Sequence, residues 1–306
     1  MALSCTFKVG NLTCHTLEAG LQHLDGGAMF GVVPKSLWMR RIPADDRNRI
    51  PLAMRCLLIE HSAGLILVDT GLGNKEDPKF RDIYGIENAG TKGPTQLEDA
   101  LAELGRRPEE INWVVNTHLH FDHGGGNTKV DGGSDALVVG GGGIGASERP
   151  PTVAFPNATY VVQKGELEFA RHTNERTRAS YLPHNFDPVD QAGRWKLLDG
   201  PGEIFPGVSA RLTPGHVPYH QSIVIKDAGE TAIFLGDVMP TSAHLPLAWI
   251  MGYDLEPLRT LESKRALLAQ AEAEGWLFIF EHDATVARGR AQAGEKGVEL
   301  SEVVKV

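Results

Sequence analysis

Residues 117–124 read THLHFDHG and place four side chains of metal-ligand type within six positions. His118 and His120 lie two residues apart at the end of an apolar run, so on an extended backbone both imidazoles project to the same side. Asp122 and His123 follow where the chain turns, and they can point toward a second position nearby. Nitrogen and oxygen ligands without cysteine suit a borderline metal such as zinc. The segment therefore predicts a metal site at the end of a strand.

Two apolar residues alternate with these ligand-type residues. A solvated polar loop is the other interpretation of so many polar side chains. The apolar side chains of Leu119 and Phe121, however, are expected to point into the core, which would fix the directions of the ligand-type side chains that alternate with them. We therefore expect an ordered site.

Apolar patterning outside this segment predicts alternating strands and helices. Short apolar runs bounded by turn residues predict strands at 54–60, 64–69, 113–116, 159–163, 208–213, 221–225, 231–235 and, last in the chain, 276–280. Leucine and alanine at helical spacing predict a helix at 96–104, and residues 164–172 suit a second helix. A third helix is predicted with Asp254 as its N-cap and Pro257 in its first turn, running to Gly275. Strands followed by helices, twice over, favour two similar α/β halves packed sheet against sheet with helices outside.

The composition narrows the class of protein. Of 306 residues, 42% are hydrophobic and 23% charged, which excludes a disordered or fibrous chain. A net charge of −9 without a basic run argues against a nucleic-acid partner. No apolar run has the length of a membrane helix, and no signal-peptide pattern is visible. The cysteines Cys5, Cys14 and Cys56 are too few for a disulfide framework, so a cytoplasmic protein is expected.

Four further segments, together with residues 117–124, resemble the metallo-β-lactamase-fold hydrolases. They are ILVDTG at 66–71, TPGH at 213–216, LGD at 235–237 and FEHD at 280–283. They occur in the family's order, and each lies at the end of a predicted strand. The resemblance implies an α/β fold, the four-layer αββα sandwich, as a single domain over residues 1–306 with halves of about 1–200 and 201–306.

The resemblance also implies a centre of two divalent metal ions, with zinc expected and iron, manganese or cobalt as alternatives. The implied ligands are His118, His120 and His216 on one metal, Asp122, His123 and His282 on the other, and Asp237 bridging both. Such a pair would share a hydroxide nucleophile and polarise the bond to be cleaved. The catalytic roles would then fall to Asp237 and to Asp122, which could move a proton to the leaving group. Asp69 would hydrogen-bond a ligand imidazole, although a strand-end turn is its other interpretation.

Within the family, the chain looks most like the quorum-quenching N-acyl-homoserine lactonases. The segments HLHFDHGGG at 118–126 and TPGHVPYHQS at 213–222 carry this likeness. Those lactonases commonly have a tyrosine three residues after the bridging aspartate, where this chain has Pro240. Tyr219, His244 and Tyr253 are the candidates to replace it, each with packing as the other interpretation.

The expected substrate is a fairly hydrophobic small molecule with one hydrolysable polar bond. Residues 24–38 are glycine-rich and are expected to expose Met29, Phe30 and Trp38 along the substrate cleft, with ordinary core packing as the alternative. Leu245, Pro246 and Trp249 would add to this apolar surface.

Three classes of function remain open from the sequence. Hydrolysis of a lactone or carboxylic ester by a metal-bridging hydroxide is the first. Hydrolysis of an organophosphate or phosphodiester by the same centre is the second. An iron-dependent oxygenase, or a binding protein with a vestigial site, is the third. No membrane partner is expected, and a homodimer is possible because relatives often dimerise.

A glycine-rich stretch follows the histidine segment and is expected to form a loop over about 124–150, either a lid or a disordered connection. Its residues 140–145 match G-x-G-x-x-G, but Pro150 and Pro151 follow where a dinucleotide site would need a helix.

Among the other histidines, His220 is expected to support the site without being a ligand. The rest are expected at the surface or in turns: His15, His23, His61, His172 and His184.

Overall fold

The computed structural model describes residues 2–131, 150–295 and 297–306. The chain folds as two compact units. Unit 1 comprises Met1–Phe7, Cys14–Gln22 and Met54–Leu198, and unit 2 comprises Lys8–Thr13, His23–Ala53 and Asp199–Val306. Most of the predicted glycine-rich loop, including the whole of 140–145, lies outside the described residues.

The strands are β1 (Ser4–Val9), β2 (Leu12–Asp25), β3 (Arg49–His61), β4 (Gly64–Val68), β5 (Ile111–Val115), β6 (Thr128–Lys129), β7 (Thr152–Val153), β8 (Thr159–Gln163), β9 (Trp195–Leu198), β10 (Gly202–Phe205), β11 (Val208–Leu212), β12 (Gln221–Asp227), β13 (Glu230–Phe234), β14 (Leu277–Ile279), β15 (Val286–Gly294) and β16 (Gly297–Lys305). The α-helices are α1 (Gly26–Phe30), α2 (Lys35–Trp38), α3 (Pro78–Tyr84), α4 (Gln96–Glu103), α5 (Phe121–Gly124), α6 (Lys164–Arg171), α7 (Asp187–Gln191) and α8 (Pro257–Glu274).

Unit 1 is built on a seven-stranded sheet of order β1-β2-β3-β4-β5-β8-β9. Strands β3 and β4 form an antiparallel hairpin, and β4, β5, β8 and β9 run parallel. Helix α4 packs on the core because Leu97, Ala100 and Leu101 recur at helical spacing and are buried. The carboxyl ends of parallel strands share one edge of a sheet, so the residues that follow β4 and β5 lie side by side.

Unit 2 contains a second seven-stranded sheet, of order β10-β11-β12-β13-β14-β15-β16. Its pairs are antiparallel except for β13 and β14, which are parallel. Helix α8 begins at Pro257. It ends, as its sequence predicts, at Gly275, which takes a left-handed conformation with φ of 65°. Leu267, Leu268 and Ala271 of this helix pack on a cluster that includes Phe278 of β14.

The structure corrects several expectations about these elements. The strand at 276–280 is not the last, because the hairpin β15–β16 follows; β15 buries Ala287, Gly289 and Ala291, small residues that gave no apolar signal. The N-cap of α8 is Glu256, not Asp254. Residues 124–129 are not a loop, since they end α5, make a 3-10 turn and form β6.

Other corrections concern burial. Met29, Phe30 and Trp38 are at most 1% exposed, because α1 and α2 fold this segment onto Ile50 and Leu52 within unit 2. The expectation that they are exposed is therefore wrong. His15 is also buried, with Nδ1 next to the Thr6 hydroxyl. Among the described residues, no helix combines the length and the apolar character that crossing a membrane requires.

Candidate metal centre

Asp69 organises the end of the parallel sheet in unit 1. It is fully buried directly after β4, with a left-handed φ of 53°, and its N–H donates to Val115 O at 3.0 Å. Its Oδ1 accepts from Thr117 N at 2.8 Å, and its Oδ2 accepts from the Thr117 hydroxyl at 2.6 Å. Its Oδ2 also lies 3.2 Å from Nδ1 of His123. Asp69 is thus both a strand-end turn residue and the carboxylate that holds the histidine segment.

The histidines of this segment form one cluster. The ring centroid of His118 lies 4.5 Å from that of His120 and 4.0 Å from that of His123. The short helix α5 carries Asp122 and His123, and Nε2 of His123 is 3.8 Å from Asp122 Oδ1. Gln22 of β2 donates its side-chain N–H to Asp122 Oδ2. The glycines that follow allow close packing, because a Cβ on Gly126 would stand 2.1 Å from Thr70 O.

Two residues that the sequence did not single out support the same segment. Glu166 is fully buried on α6, and its Oε1 accepts from Leu119 N at 3.0 Å and from the Tyr181 hydroxyl at 2.8 Å. The Tyr181 ring packs edge-on against His120 at 4.7 Å. Burial, together with the Glu166 carboxylate, raises the pKa of Tyr181 well above its usual value, so its hydroxyl stays protonated and donates. Neither residue stands in a motif, so only the structure reveals them.

Unit 2 brings together three side chains from three separate loops. His216 follows β11, Asp237 follows β13 and His282 follows β14. Nε2 of His216 lies 3.0 Å from Asp237 Oδ2, and Nε2 of His282 lies 3.1 Å from Asp237 Oδ1. The Asp237 carboxylate therefore stands between the two histidines. Gly215 lets the loop pass close to α8, since a Cβ there would meet Thr260 N at 2.2 Å.

Each of these two histidines has a partner at Nδ1. His216 Nδ1 lies 3.1 Å from Asp254 Oδ1, while Asp254 Oδ2 accepts from Met251 N at 3.2 Å. His282 Nδ1 lies 2.6 Å from Ala53 O, a carbonyl that can only accept. Asp254 thus holds a histidine instead of capping α8, because its carboxylate is already engaged.

The donor set fits divalent metal ions. His118 Nδ1 lies 3.1 Å from the Thr117 hydroxyl, which itself donates to Asp69, so this Nδ1 carries the proton. His123, His216 and His282 likewise have their Nδ1 beside an acceptor. In all four rings Nε2 is then left with its lone pair, the arrangement that metal-binding histidines show in proteins. Each unit also has a buried carboxylate beside its own histidines: Asp122 next to His123 in unit 1, and Asp237 next to His216 and His282 in unit 2.

The candidates for a substrate pocket have different environments. His244 is fully buried, stacks on Phe30 with 4.5 Å between ring centroids, and has its nitrogens 2.7 Å from the Thr241 hydroxyl and 2.9 Å from Met29 O. Both nitrogens are engaged, so His244 is a packing residue and does not replace the lactonase tyrosine. Tyr219 is 45% and Tyr253 39% exposed.

The remaining pocket candidate is half-buried. Trp249 packs edge-on against Phe30 at 5.7 Å, on the loop that follows Pro240 and His244. Lys264 of α8 holds this loop through its ammonium, which donates to the carbonyl oxygens of Pro246 and Trp249 at 2.8 Å each.

The sequence and the fold are similar to those of characterised metal-dependent enzymes. The family model described as Metallo-beta-lactamase superfamily matches residues 51–282. An N-acyl homoserine lactonase from Bacillus sp is 29% identical over 250 residues, which cover 78% of this chain and 85% of that relative. The structure of a probable metal-dependent hydrolase from Staphylococcus aureus is similar with a TM-score of 0.83 and 28% identity, over 97% of this chain and 100% of the other.

A structure described as AidC, a dizinc quorum-quenching lactonase, is similar in fold, with a TM-score of 0.75 and 20% identity over 98% of each chain. The α/β metallo-β-lactamase fold expected from the sequence is confirmed by these matches. The family and its relatives indicate a metal-dependent hydrolase that uses divalent metal ions. With the family model matching most of its length, the chain belongs to the metallo-β-lactamase superfamily.

Proposed function

We propose that this protein is a dinuclear metal-dependent hydrolase that opens lactones or cleaves carboxylic esters, with N-acyl-homoserine lactones as the first substrate class. The observation that carries the proposal is the Asp237 carboxylate, whose two oxygens lie 3.0 Å from Nε2 of His216 and 3.1 Å from Nε2 of His282. A carboxylate with one oxygen toward each of two metal-binding histidines suits a bridge between two metal ions. The lactone class is supported by the N-acyl homoserine lactonase relative, which aligns over 78% of this chain.

The proposed ligands are those implied by the family resemblance. His118, His120 and His216 would hold one ion, Asp122, His123 and His282 would hold the other, and Asp237 would bridge them. When bound, two divalent ions supply a nucleophilic hydroxide near neutral pH and polarise the carbonyl oxygen. Zinc is the proposed metal, because imidazole and carboxylate ligands without thiolate suit it.

The residues of the chain have separate tasks in this scheme. Opening a lactone ring releases an alkoxide oxygen that must gain a proton to become the product hydroxyl group. We assign the transfer of that proton to Asp122: its carboxylate would accept the proton of the attacking hydroxide as the new C–O bond forms and pass it to the alkoxide oxygen, while its other oxygen is held by the Gln22 amide. Asp69 keeps the proton of His123 on Nδ1, and Asp254 does the same for His216.

A hydrogen bond to the lactone must come from a residue other than Pro240. Tyr219 and Tyr253 have exposed side chains in unit 2, so either phenol can reach a small molecule in solvent. We propose one of these two tyrosines for this task. A fairly hydrophobic acyl group would suit the partly buried side chains of Leu245 and Trp249.

The first test is proton release by the zinc-loaded protein on a long-chain N-acyl-homoserine lactone, with Asp122→Asn as the matched control. Asparagine keeps the size of the side chain but cannot carry the proton. Turnover at enzymatic rates that falls by at least about 100-fold in the variant is expected. No turnover with zinc bound would overturn the lactone assignment, and an aryl ester and a phosphotriester are the substrates that would then separate esterase from organophosphate hydrolase. Oxygen uptake by an iron-loaded protein would instead identify an oxygenase.

Location and assembly are predictions at this point. We propose a cytoplasmic protein that acts on small molecules, with a homodimer as one possible assembly. Size-exclusion chromatography with light scattering measures the assembly directly.

A further inference from the structure

His220 lies four residues after the proposed ligand His216 and is fully buried in unit 2. The backbone N–H of Asp237 donates to its Nε2 at 3.0 Å. A backbone N–H can only donate, so Nε2 must carry the lone pair, and a neutral ring then carries its proton on Nδ1. This assigns the tautomer of His220 and uses its Nε2 for a purpose other than metal binding.

The hydrogen bonds beyond Nδ1 run in one direction. Nδ1 lies 2.8 Å from the Thr213 hydroxyl oxygen, which accepts the proton of the ring. The Thr213 hydroxyl lies 2.9 Å from the Ser222 hydroxyl, and Ser222 donates to the carbonyl oxygen of Leu235 at 2.8 Å. Because the Ser222 hydroxyl donates to Leu235 O, it must accept from the Thr213 hydroxyl. Every hydrogen bond in this relay, which consists of His220, Thr213 and Ser222, therefore has one defined direction. Thr213, His220 and Ser222 are at most 1% exposed, so water does not compete for these bonds.

This relay holds both ends of the segment Leu235–Asp237. Ser222 fixes the carbonyl oxygen of Leu235, and His220 fixes the N–H of Asp237 two residues later. Between them Gly236 takes a φ of 55°, a turn that points the next side chain away from the strand. The side chain so directed is the Asp237 carboxylate, which meets His216 and His282.

We propose that His220 is a positioning residue for metal binding: it sets the direction of the Asp237 carboxylate by accepting the Asp237 backbone N–H, and Thr213 and Ser222 lock the tautomer that allows it to do so. The inference rests on the proposed function, because it takes Asp237 as the bridging ligand. His220 acts through Asp237 and touches neither substrate nor metal.

Two amide variants separate the two contacts of the ring. In His220→Gln the side-chain oxygen reaches the former position of Nε2 and can still accept from Asp237 N–H. In His220→Asn the shorter side chain reaches the position of Nδ1, so it retains the contact with Thr213 and loses the contact with Asp237. The two variants have the same chemistry and differ in which end of the relay they keep.

The measurement is zinc affinity by competition with a chromophoric chelator, together with the visible spectrum of the cobalt-substituted protein. We expect His220→Asn to lower the affinity at least about 10-fold and to shift the cobalt bands, and His220→Gln to stay within about threefold of the wild type. The thermal unfolding of the metal-free variants shows whether either has lost its fold. Equal affinities for the two variants, at the wild-type level or below it, would overturn the inference.

Two further results keep the inference separate from the function and from folding. If the wild type binds zinc and the two variants bind zinc with equal affinity, only the role of His220 is overturned. If the wild type binds no zinc, the proposed function is overturned, and this inference with it. The ring nitrogens of wild-type His220 also report directly by ¹⁵N NMR, with no variant to fold. The proton is expected on Nδ1, and a proton found on Nε2 contradicts the relay.

Discussion

The two units support their candidate ligands in different ways. In unit 1 the ligands stand in one segment, and one buried carboxylate, Asp69, holds both Thr117 and His123. In unit 2 the ligands stand in three loops, and each has its own partner: Asp254 for His216, Ala53 O for His282 and His220 for Asp237. In unit 1 one residue therefore supports several ligands, which we call shared support. In unit 2 each ligand is supported by a different residue, which we call distributed support. The consequence is that one substitution in unit 1 should disturb several ligands, and one in unit 2 should disturb a single ligand.

The largest effect is expected from Asp69→Asn. The amide keeps the shape of the side chain, but its nitrogen cannot accept, so at least one of the donors on Thr117 and His123 loses its acceptor. Because these donors fix two histidines, we expect zinc affinity to fall about 100-fold, at the upper end of the range for such supporting residues. Chelator competition measures this directly, and the matched control is Asp77→Asn at the N-cap of α3, a position where asparagine caps as well as aspartate does. An affinity within about threefold of the wild type would show that Asp69 acts as a turn residue only.

A smaller effect is expected from Asp254→Asn in unit 2. His216 depends on this carboxylate for the position of its Nδ1 proton, and the new amide oxygen can still accept from it. We expect zinc affinity to fall by about 10-fold at most, clearly less than for Asp69→Asn. The same competition experiment applies. Equal losses in the two variants would break the distinction between shared and distributed support.

The same difference explains what could be predicted from the sequence. The ligand segment of unit 1 is contiguous, so spacing alone indicated a metal site, and the strands that precede the ligands were predicted from apolar patterning. The short helix α5, which carries Asp122 and His123, was predicted only as a turn. Among the partners of unit 2, His220 was expected to support the site, but Asp254 and Ala53 were not. Asp254 lies 38 residues from His216 and contacts it only through the fold. Glu166 was missed for the same reason, since its 47-residue separation from Leu119 leaves no local pattern. The N-terminal helices α1 and α2 were missed because they have only five and four residues, and because α1 begins with two glycines, which disfavour a helix.

The histidines show the limit of residue type as a signal. His216 and His244 both lie in unit 2 and both are buried, and nothing in their residue type separates a ligand from a packing residue. The structure separates them by their partners: Nδ1 of His216 donates to the Asp254 carboxylate and leaves Nε2 with its lone pair, whereas Nε2 of His244 donates to the carbonyl oxygen of Met29. Nε2 of His244 therefore carries the proton and has no lone pair for a metal.

The smallest expected effect is a pH dependence of the unfolding free energy, which follows from the role of His244 as a packing residue. Burial, with the nearby Lys264 ammonium adding to it, lowers the pKa of His244 to about 4 from 6.5. The folded pKa lies below the unfolded one, so below about pH 6.5 the unfolded chain binds a proton that the folded chain refuses. Stability from this residue is complete above that pH and is lost as the pH falls toward 4.

Between about pH 7.5 and about pH 5.5 this amounts to about 1 kcal/mol of unfolding free energy. The variant His244→Gln can still donate to Met29 O but does not titrate, so its unfolding free energy should fall by about that much less over the same interval. Chemical denaturation of both proteins with metal removed makes the comparison, because the protonation of the other histidines then cancels in the difference. If the unfolding free energies of the two proteins change in parallel with pH, folded His244 takes up a proton as readily as unfolded His244. The hydrogen-bond partners would then not distinguish packing histidines from ligand histidines in unit 2.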